Sequence, residues 1–384
     1  MSKFFCPLPW IHQFIQADGI KMCCSSRTVL DLTSTEFTNS SFIKSVKETI
    51  ANGDIPPDCE TCVQAERKGF SSTRTLALKD WKYDIESVPD QIEYLDLRHS
   101  NLCNLSCRSC EPKFSSQIAR EISLHPTIAK YYNPSSKIHL ENQNDLDHLL
   151  PTIKRINFTG GEPLLNKENI RILEELIRLG NVDCEILITT NGTVINPTIV
   201  KLLKSFNSVH WTLSIDAVDI HAEYIRYGSI WNNIKNNIET ILSLKQSVAV
   251  NTVLSAYSVL SLENLLKYFK SLKDTYTDQP LEIWFAHCDY PAFLKPSVLQ
   301  GKLRQQAINN LTQSINILQG IKSNPTRSID NLKSLRNDLN DSILSNALSD
   351  KFVKYTKDLD QIRNQNFNQT FGTDYEQRKV TTSS

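Results

Sequence analysis

The chain has 384 residues, 40% hydrophobic and 22% charged, with 42 Lys and Arg against 42 Asp and Glu. That is the composition of a folded protein long enough for one large domain and a smaller one. A formal net charge of zero supplies no global positive field to draw it to phosphate backbones or anionic lipid. No apolar stretch reaches the roughly 18 to 20 residues that cross a bilayer. The start, MSKFFCPLPW, lacks the apolar run of a secretory signal, so a cytoplasmic location is expected. Ten cysteines in a reducing compartment then read as metal or redox chemistry rather than a disulfide framework.

Residues 1–85 show little sustained helical periodicity before residue 40 and concentrate cysteines, so a small domain held by something other than apolar burial is expected there. Cys6, Gly19 and Cys24, followed by Cys59 and Cys62, supply four thiolates, a complete set for one metal ion or one cubane. Cys23 is the alternative to Cys24. Thiolate number alone leaves a structural zinc open beside iron–sulfur.

From about residue 90 short β-rich runs alternate with amphipathic stretches, which is the signature of βα units and a parallel sheet. Strands are expected at 92–98, 153–159, 184–190, 209–215, 247–254 and 281–287. Six such units over 90–290 make an α/β fold, a partial (β/α)6 barrel, whose chemistry belongs on the loops leaving the C-terminal strand ends. The excursion 123–144 is longer than a simple connection needs. Beyond 295 the spacing of Leu303, Ile308, Leu311, Ile315 and Leu318 predicts a helical extension to about 370, with 371–384 a polar, disordered tail.

The first expected strand runs into Cys103, Cys107 and Cys110, a C-x3-C-x2-C loop. Three soft ligands suit an iron–sulfur cubane that keeps one iron open, whereas structural zinc wants four ligands. The second strand ends in Gly160-Gly161-Glu162-Pro163. Two adjacent glycines permit close approach to the backbone, and a tight βα turn is the plain alternative. Thr190-Asn191-Gly192 follows the third strand and Leu213-Ser214-Ile215-Asp216 closes the fourth.

These four motifs, in this order at these strand ends, resemble the radical S-adenosylmethionine (radical SAM) enzymes over residues 92–290. The resemblance implies that Cys103, Cys107 and Cys110 hold a [4Fe–4S] cluster whose open iron binds SAM. It further implies that Gly160, Gly161 and Glu162 meet the SAM amino group, that Ser214 and Asp216 contact the ribose and carboxylate side, and that Arg226 pairs with the SAM carboxylate. A salt bridge is the plain reading of Arg226, and a turn cap that of Asn191. Ser109 stands where many members carry an aromatic residue near the adenine. The run from Cys6 to Trp10 with Asp18 to Cys24 resembles the SPASM and twitch domains that hold an auxiliary [4Fe–4S] cluster. Here that segment precedes the barrel instead of following it.

The implied reaction is reductive cleavage of SAM to a 5′-deoxyadenosyl radical that abstracts a substrate hydrogen, with flavodoxin or ferredoxin as low-potential donor. Oxidation, cross-linking or epimerisation of a peptide or small metabolite would follow. Alternatives are a non-catalytic scaffold or electron-transfer module and, last, an RNA-modifying enzyme, for which no basic nucleic-acid domain is visible. Cys184, inside a strand, reads as core. Cys288, at the sixth strand's end, is a candidate hydrogen-atom donor, with packing as its alternative.

Overall fold

The computed structural model describes residues 4–16, 18–67, 71–98, 100–133, 146–321, 326–341 and 345–373. Ten strands are described, in chain order β1 (His12–Gln16), β2 (Gly19–Lys21), β3 (Tyr94–Arg98), β4 (Ser106–Cys107), β5 (Arg155–Phe158), β6 (Glu185–Thr190), β7 (Val209–Ser214), β8 (Arg226–Tyr227), β9 (Ser247–Leu254) and β10 (Leu281–His287). The chain divides into two compact units, Met1–Leu102 with Lys137–Ile188 and Asn196–Val209, and Cys103–Ser136 with Thr189–Ile195 and His210–Ser384.

In the first unit the strand order is β6-β5-β3-β1-β2. All pairs are parallel except the β1–β2 hairpin. Leu95, Leu97, Ile156, Phe158 and Ile186 are buried. They alternate with residues of the opposite face, as a pleat with one packed side requires. The Lys167–Arg178 helix covers that side with Ile172, Leu173 and Leu176, and Asn166 caps its start by accepting from Glu168 N.

In the second unit β10, β9 and β7 lie side by side, parallel, with the Trp231–Ser243 and Leu262–Thr275 helices as their crossovers. The helical extension follows as Gly301–Gln319, Thr326–Asp341, Asn346–Arg363 and Phe367–Phe371. Ser328 and Asn331 donate side-chain hydrogen bonds to the carbonyls of Ile283 and Phe285, so a helix occupies backbone acceptors that an outer strand would otherwise expose.

The α/β class, the parallel strands and the C-terminal helices are as the sequence predicts, and the six expected strands all form within two residues of their expected starts. The N-terminal segment contributes to the same sheet. Its strand β1 is buried throughout and pairs with β3 over five positions, from His12↔Tyr94 to Gln16↔Arg98, which joins it to the sheet. Of the 123–144 excursion, the Ser116–Leu124 helix and the 3-10 turn Pro126–Tyr131 are described. Its remainder from 134, and the tail from 374, lie outside the described residues. Among the described residues no helix is long and apolar enough to cross a membrane.

Candidate functional site

The triplet loop begins the second unit. Ser115 pins it from below: its hydroxyl donates to Leu105 O at 2.6 Å and accepts Ile118 N, so one side chain both holds the loop and caps the Ser116–Leu124 helix. Ser116 Oγ bridges the amide and carbonyl of Cys103, at 3.2 and 3.1 Å. Cys107 lies in β4, opposite Arg226 in the short antiparallel β4–β8 ladder, and Cys110 N closes a turn onto Cys107 O.

Two side chains aim N–H donors at the sulfurs. Asn191 Nδ2 lies 3.9 Å from Cys103 Sγ and 3.0 Å from Asn104 Oδ1, while its Oδ1 accepts from the amide and hydroxyl of Thr193. Asn191 therefore does cap a turn, and its other end serves the cysteine loop. Arg226 Nη1 lies 3.9 Å from Cys107 Sγ, and Nη2 pairs with Asp216 Oδ2 at 2.9 Å. Asp216 is itself buried and accepts Val253 N. Burial pushes the Cys107 and Cys110 thiols up, with the Arg226 charge opposing it. Such thiols ionise when a metal supplies compensating positive charge. Sulfur donors, one buried and two half-buried, with N–H donors on two of three positions fit an anionic cluster.

Ser214 ends β7, half-buried, beside Asn251 of β9. Cys288 is buried just past β10, donating to Tyr290 O at 3.8 Å; burial, aided by the Asp216 charge, pushes its thiol up to about 12.

In the first unit Gly160 and Gly161 are required by close backbone approach. A Cβ on Gly161 would stand 2.2 Å from Leu102 O, and one on Gly160, whose φ is +110°, 2.9 Å from Ser100 O. Their turn is tied to the segment ahead of Cys103 by Gly161 N to Ser100 O and Glu162 N to Leu102 O. Glu162 is buried and its carboxylate accepts Leu164 N.

Also in the first unit, one cavity is lined by Cys6, Cys23, Cys59, Cys62, Thr73 and Arg74. The fourth cysteine lining this cavity is Cys23. Adjacent side chains diverge at this turn, and Cys24 is exposed with its sulfur against the Ser25 and Thr73 hydroxyls. Burial pushes Cys6 up strongly and Cys23 and Cys59 to about 12. Asp58 accepts from the amides of Arg27 and Thr28 and from the hydroxyls of Ser26 and Thr28, which fastens the chain after Cys24 to the turn before Cys59. Arg74 is held by Glu66 and by Phe5 O. Among the described residues no three His, Cys, Asp or Glu side chains close to the spacing of a single-ion site.

Residues 97–272 match the Radical SAM superfamily. The chain is 30% identical over 171 residues to GTP 3',8-cyclase of Clostridium acetobutylicum, covering 42% of this chain and 48% of that protein. It is 31% identical over 178 residues to the radical SAM cyclopropyl synthase TigE of Paramaledivibacter caminithermalis, covering 43% and 36%. It thus spans less than half the length of either relative. Among solved structures it is similar to native anSMEcpe with bound AdoMet, at 19% identity, 59% coverage of both chains and TM-score 0.40. It is also similar to Streptococcus suis SuiB bound to precursor peptide SuiA, at 14% identity, 80% and 69% coverage and TM-score 0.37.

Proposed function

We propose that the protein is a radical SAM enzyme in which Cys103, Cys107 and Cys110 hold the SAM-binding [4Fe–4S] cluster. When bound, that cluster and SAM supply a one-electron cleavage to methionine and a 5′-deoxyadenosyl radical, which takes a hydrogen atom from substrate. The observation that carries this reading is the pair of N–H donors, Asn191 and Arg226, set on the sulfurs of Cys103 and Cys107. In this reading the Gly160-Gly161-Glu162 turn and Ser214 meet SAM. Asp216 fixes the Arg226 guanidinium, which divides its charge between the thiolate and the SAM carboxylate. The electron comes from a flavodoxin- or ferredoxin-like donor. Both curated relatives are named for ring-closing reactions, which supports a bond-forming outcome on a peptide or small metabolite.

The auxiliary site of this reading is Cys6, Cys23, Cys59 and Cys62, closed by four thiolates and therefore suited to electron transfer over substrate ligation. Anaerobic reconstitution tests both centres. About eight irons per chain support two cubanes, and about four irons with one zinc make the N-terminal site structural. Cys23→Ala is expected to lose the second set of irons and Cys24→Ala to keep it. Reconstituted protein given dithionite and SAM under argon is expected to release 5′-deoxyadenosine. An intact triplet cluster that releases none would make the chain a scaffold.

A further inference from the structure

Arg108, between the second and third cysteines of the triplet, is fully buried. A guanidinium at that depth is costly unless it is paired; Nη1 has no hydrogen-bond partner among the described residues, and the partners of the other two nitrogens are far away in sequence. Nε donates to Tyr224 O at 3.0 Å; Nη2 donates to Asp360 Oδ1 at 2.5 Å and Gln365 Oε1 at 2.9 Å; the plane lies 3.8 Å from the Tyr224 ring centroid. Its backbone is held too, with Arg108 N donating to Ile225 O and Tyr355 OH donating to Arg108 O at 2.6 Å.

The other end of this network is the Asn346–Arg363 helix and the turn after it. Asp360 Oδ1 also accepts Tyr224 OH, and Oδ2 accepts Phe367 N, so one carboxylate orders the helix end and receives Arg108. One turn on, Arg363 makes two bonds to Glu121 of the Ser116–Leu124 helix, at 2.8 and 2.7 Å, and its guanidinium lies over the Tyr227 ring. Tyr355, Leu359 and Arg363 recur at the spacing of one buried helix face. That face grips the cysteine loop at Arg108, the helix after it at Glu121, and the strand opposite Cys107 at Tyr227.

We propose that Arg108 and Asp360 form a latch through which the Asn346–Arg363 helix holds the 103–110 loop in its cluster-binding shape, making Tyr355, Asp360 and Arg363 positioning residues of the site. The proposal rests on the reading that this loop binds the cluster, and its test separates the two. Full-length chain is prepared iron-free as wild type, as Asp360→Asn, and as the double variant Arg108→Met with Asp360→Leu, which removes both buried charges together. Hydrogen exchange of 103–111 and iodoacetamide labelling of Cys107 and Cys110 are followed, with Cys184 as internal control.

Asp360→Asn is expected to raise labelling and exchange of the loop about tenfold, as opening of one local unit does, and to leave Cys184 unchanged. The double variant is expected to regain thermal stability yet still label fast. Should Asp360→Asn fail to fold, the double variant decides alone. Wild-type labelling in it would overturn the latch, reducing the pair to mutual neutralisation of two buried charges. Iron analysis of reconstituted wild type reports separately. Fast labelling in the variants with no iron at the triplet would sink the cluster reading and keep the loop's dependence on the helix. Normal iron with unchanged labelling would sink the latch alone.

Discussion

Arg226 faces Cys107 across the two-residue β4–β8 ladder and directs one guanidinium nitrogen at its sulfur, 3.9 Å away, while the other pairs with Asp216. A fixed positive charge there stabilises the more negative, reduced state of a cluster on Cys107. Arg226→Met is therefore expected to lower the cluster's midpoint potential by about 60 mV, the one-electron equivalent of ~1.4 kcal/mol of lost charge-assisted contact. Arg226→Lys keeps the charge but not the fork and is expected to fall between. Redox titration followed by electron paramagnetic resonance measures it, and equal potentials in all three proteins would remove Arg226 from the cluster's surroundings.

Gly161 and Gly180 make a contrast in one protein. At Gly161 an added methyl would meet Leu102 O at 2.2 Å, whereas around Gly180, whose φ is +74°, nothing lies within 4 Å. Gly180→Ala pays only for left-handed backbone, about 1 kcal/mol. Gly161→Ala must push apart the turn and the segment leading to Cys103, and about 3 kcal/mol or more is expected. Urea unfolding of the two variants checks the order, and similar midpoints would mean that the turn relaxes freely.

Most of this architecture is legible in the sequence because the six barrel strands bury one aliphatic row each and are bounded by turn residues. Strand β1 is not legible. Its sequence His-Gln-Phe-Ile-Gln carries glutamines at buried positions, where Gln13 Nε2 donates to Ser34 O and Thr38 Oγ1, partners no local pattern announces. Spacing favours Cys24, whereas the cavity is lined by Cys23. A one-residue choice is decided by the direction the chain takes through the turn, not by the distance to Gly19. The C-terminal helices read as amphipathic, yet the reach of Asp360 to Arg108 spans 252 positions, beyond any periodicity.

Cys288 is expected to be a packing residue. Its thiol is buried, bonded to Tyr290 O and pushed up to about 12, and hydrogen-atom return is the catalytic role to be tested against packing. Cys288→Ala is expected to lose about 1 kcal/mol of stability and to release 5′-deoxyadenosine at the wild-type rate. Turnover in deuterium oxide discriminates further: deuterium in the wild-type product that vanishes in Cys288→Ala would make it the donor.

Two buried groups of the first unit titrate with opposite consequences. His12 is held neutral, donating from Nδ1 to Met22 O with Nε2 buried, and burial lowers its pKa from 6.5 to about 4. Between those values the unfolded chain binds the extra proton, so acidification destabilises the fold. From pH 7 to pH 5 the loss is about 2 kcal/mol. Burial raises Asp96 from 3.8 to about 6, opposed by Arg98. Over the same interval the folded state binds the extra proton, and acidification gains about 1 kcal/mol. These two contributions therefore largely offset each other between pH 7 and 5. His12→Asn, which keeps a donor without a titrating ring, is expected to grow more stable on acidification. Asp96→Asn is expected to be more stable than wild type at pH 7 and to lose that advantage by pH 5. Urea midpoints of the three proteins at the two pH values test the signs, and parallel slopes in all three would show that neither group is buried as the fold places it.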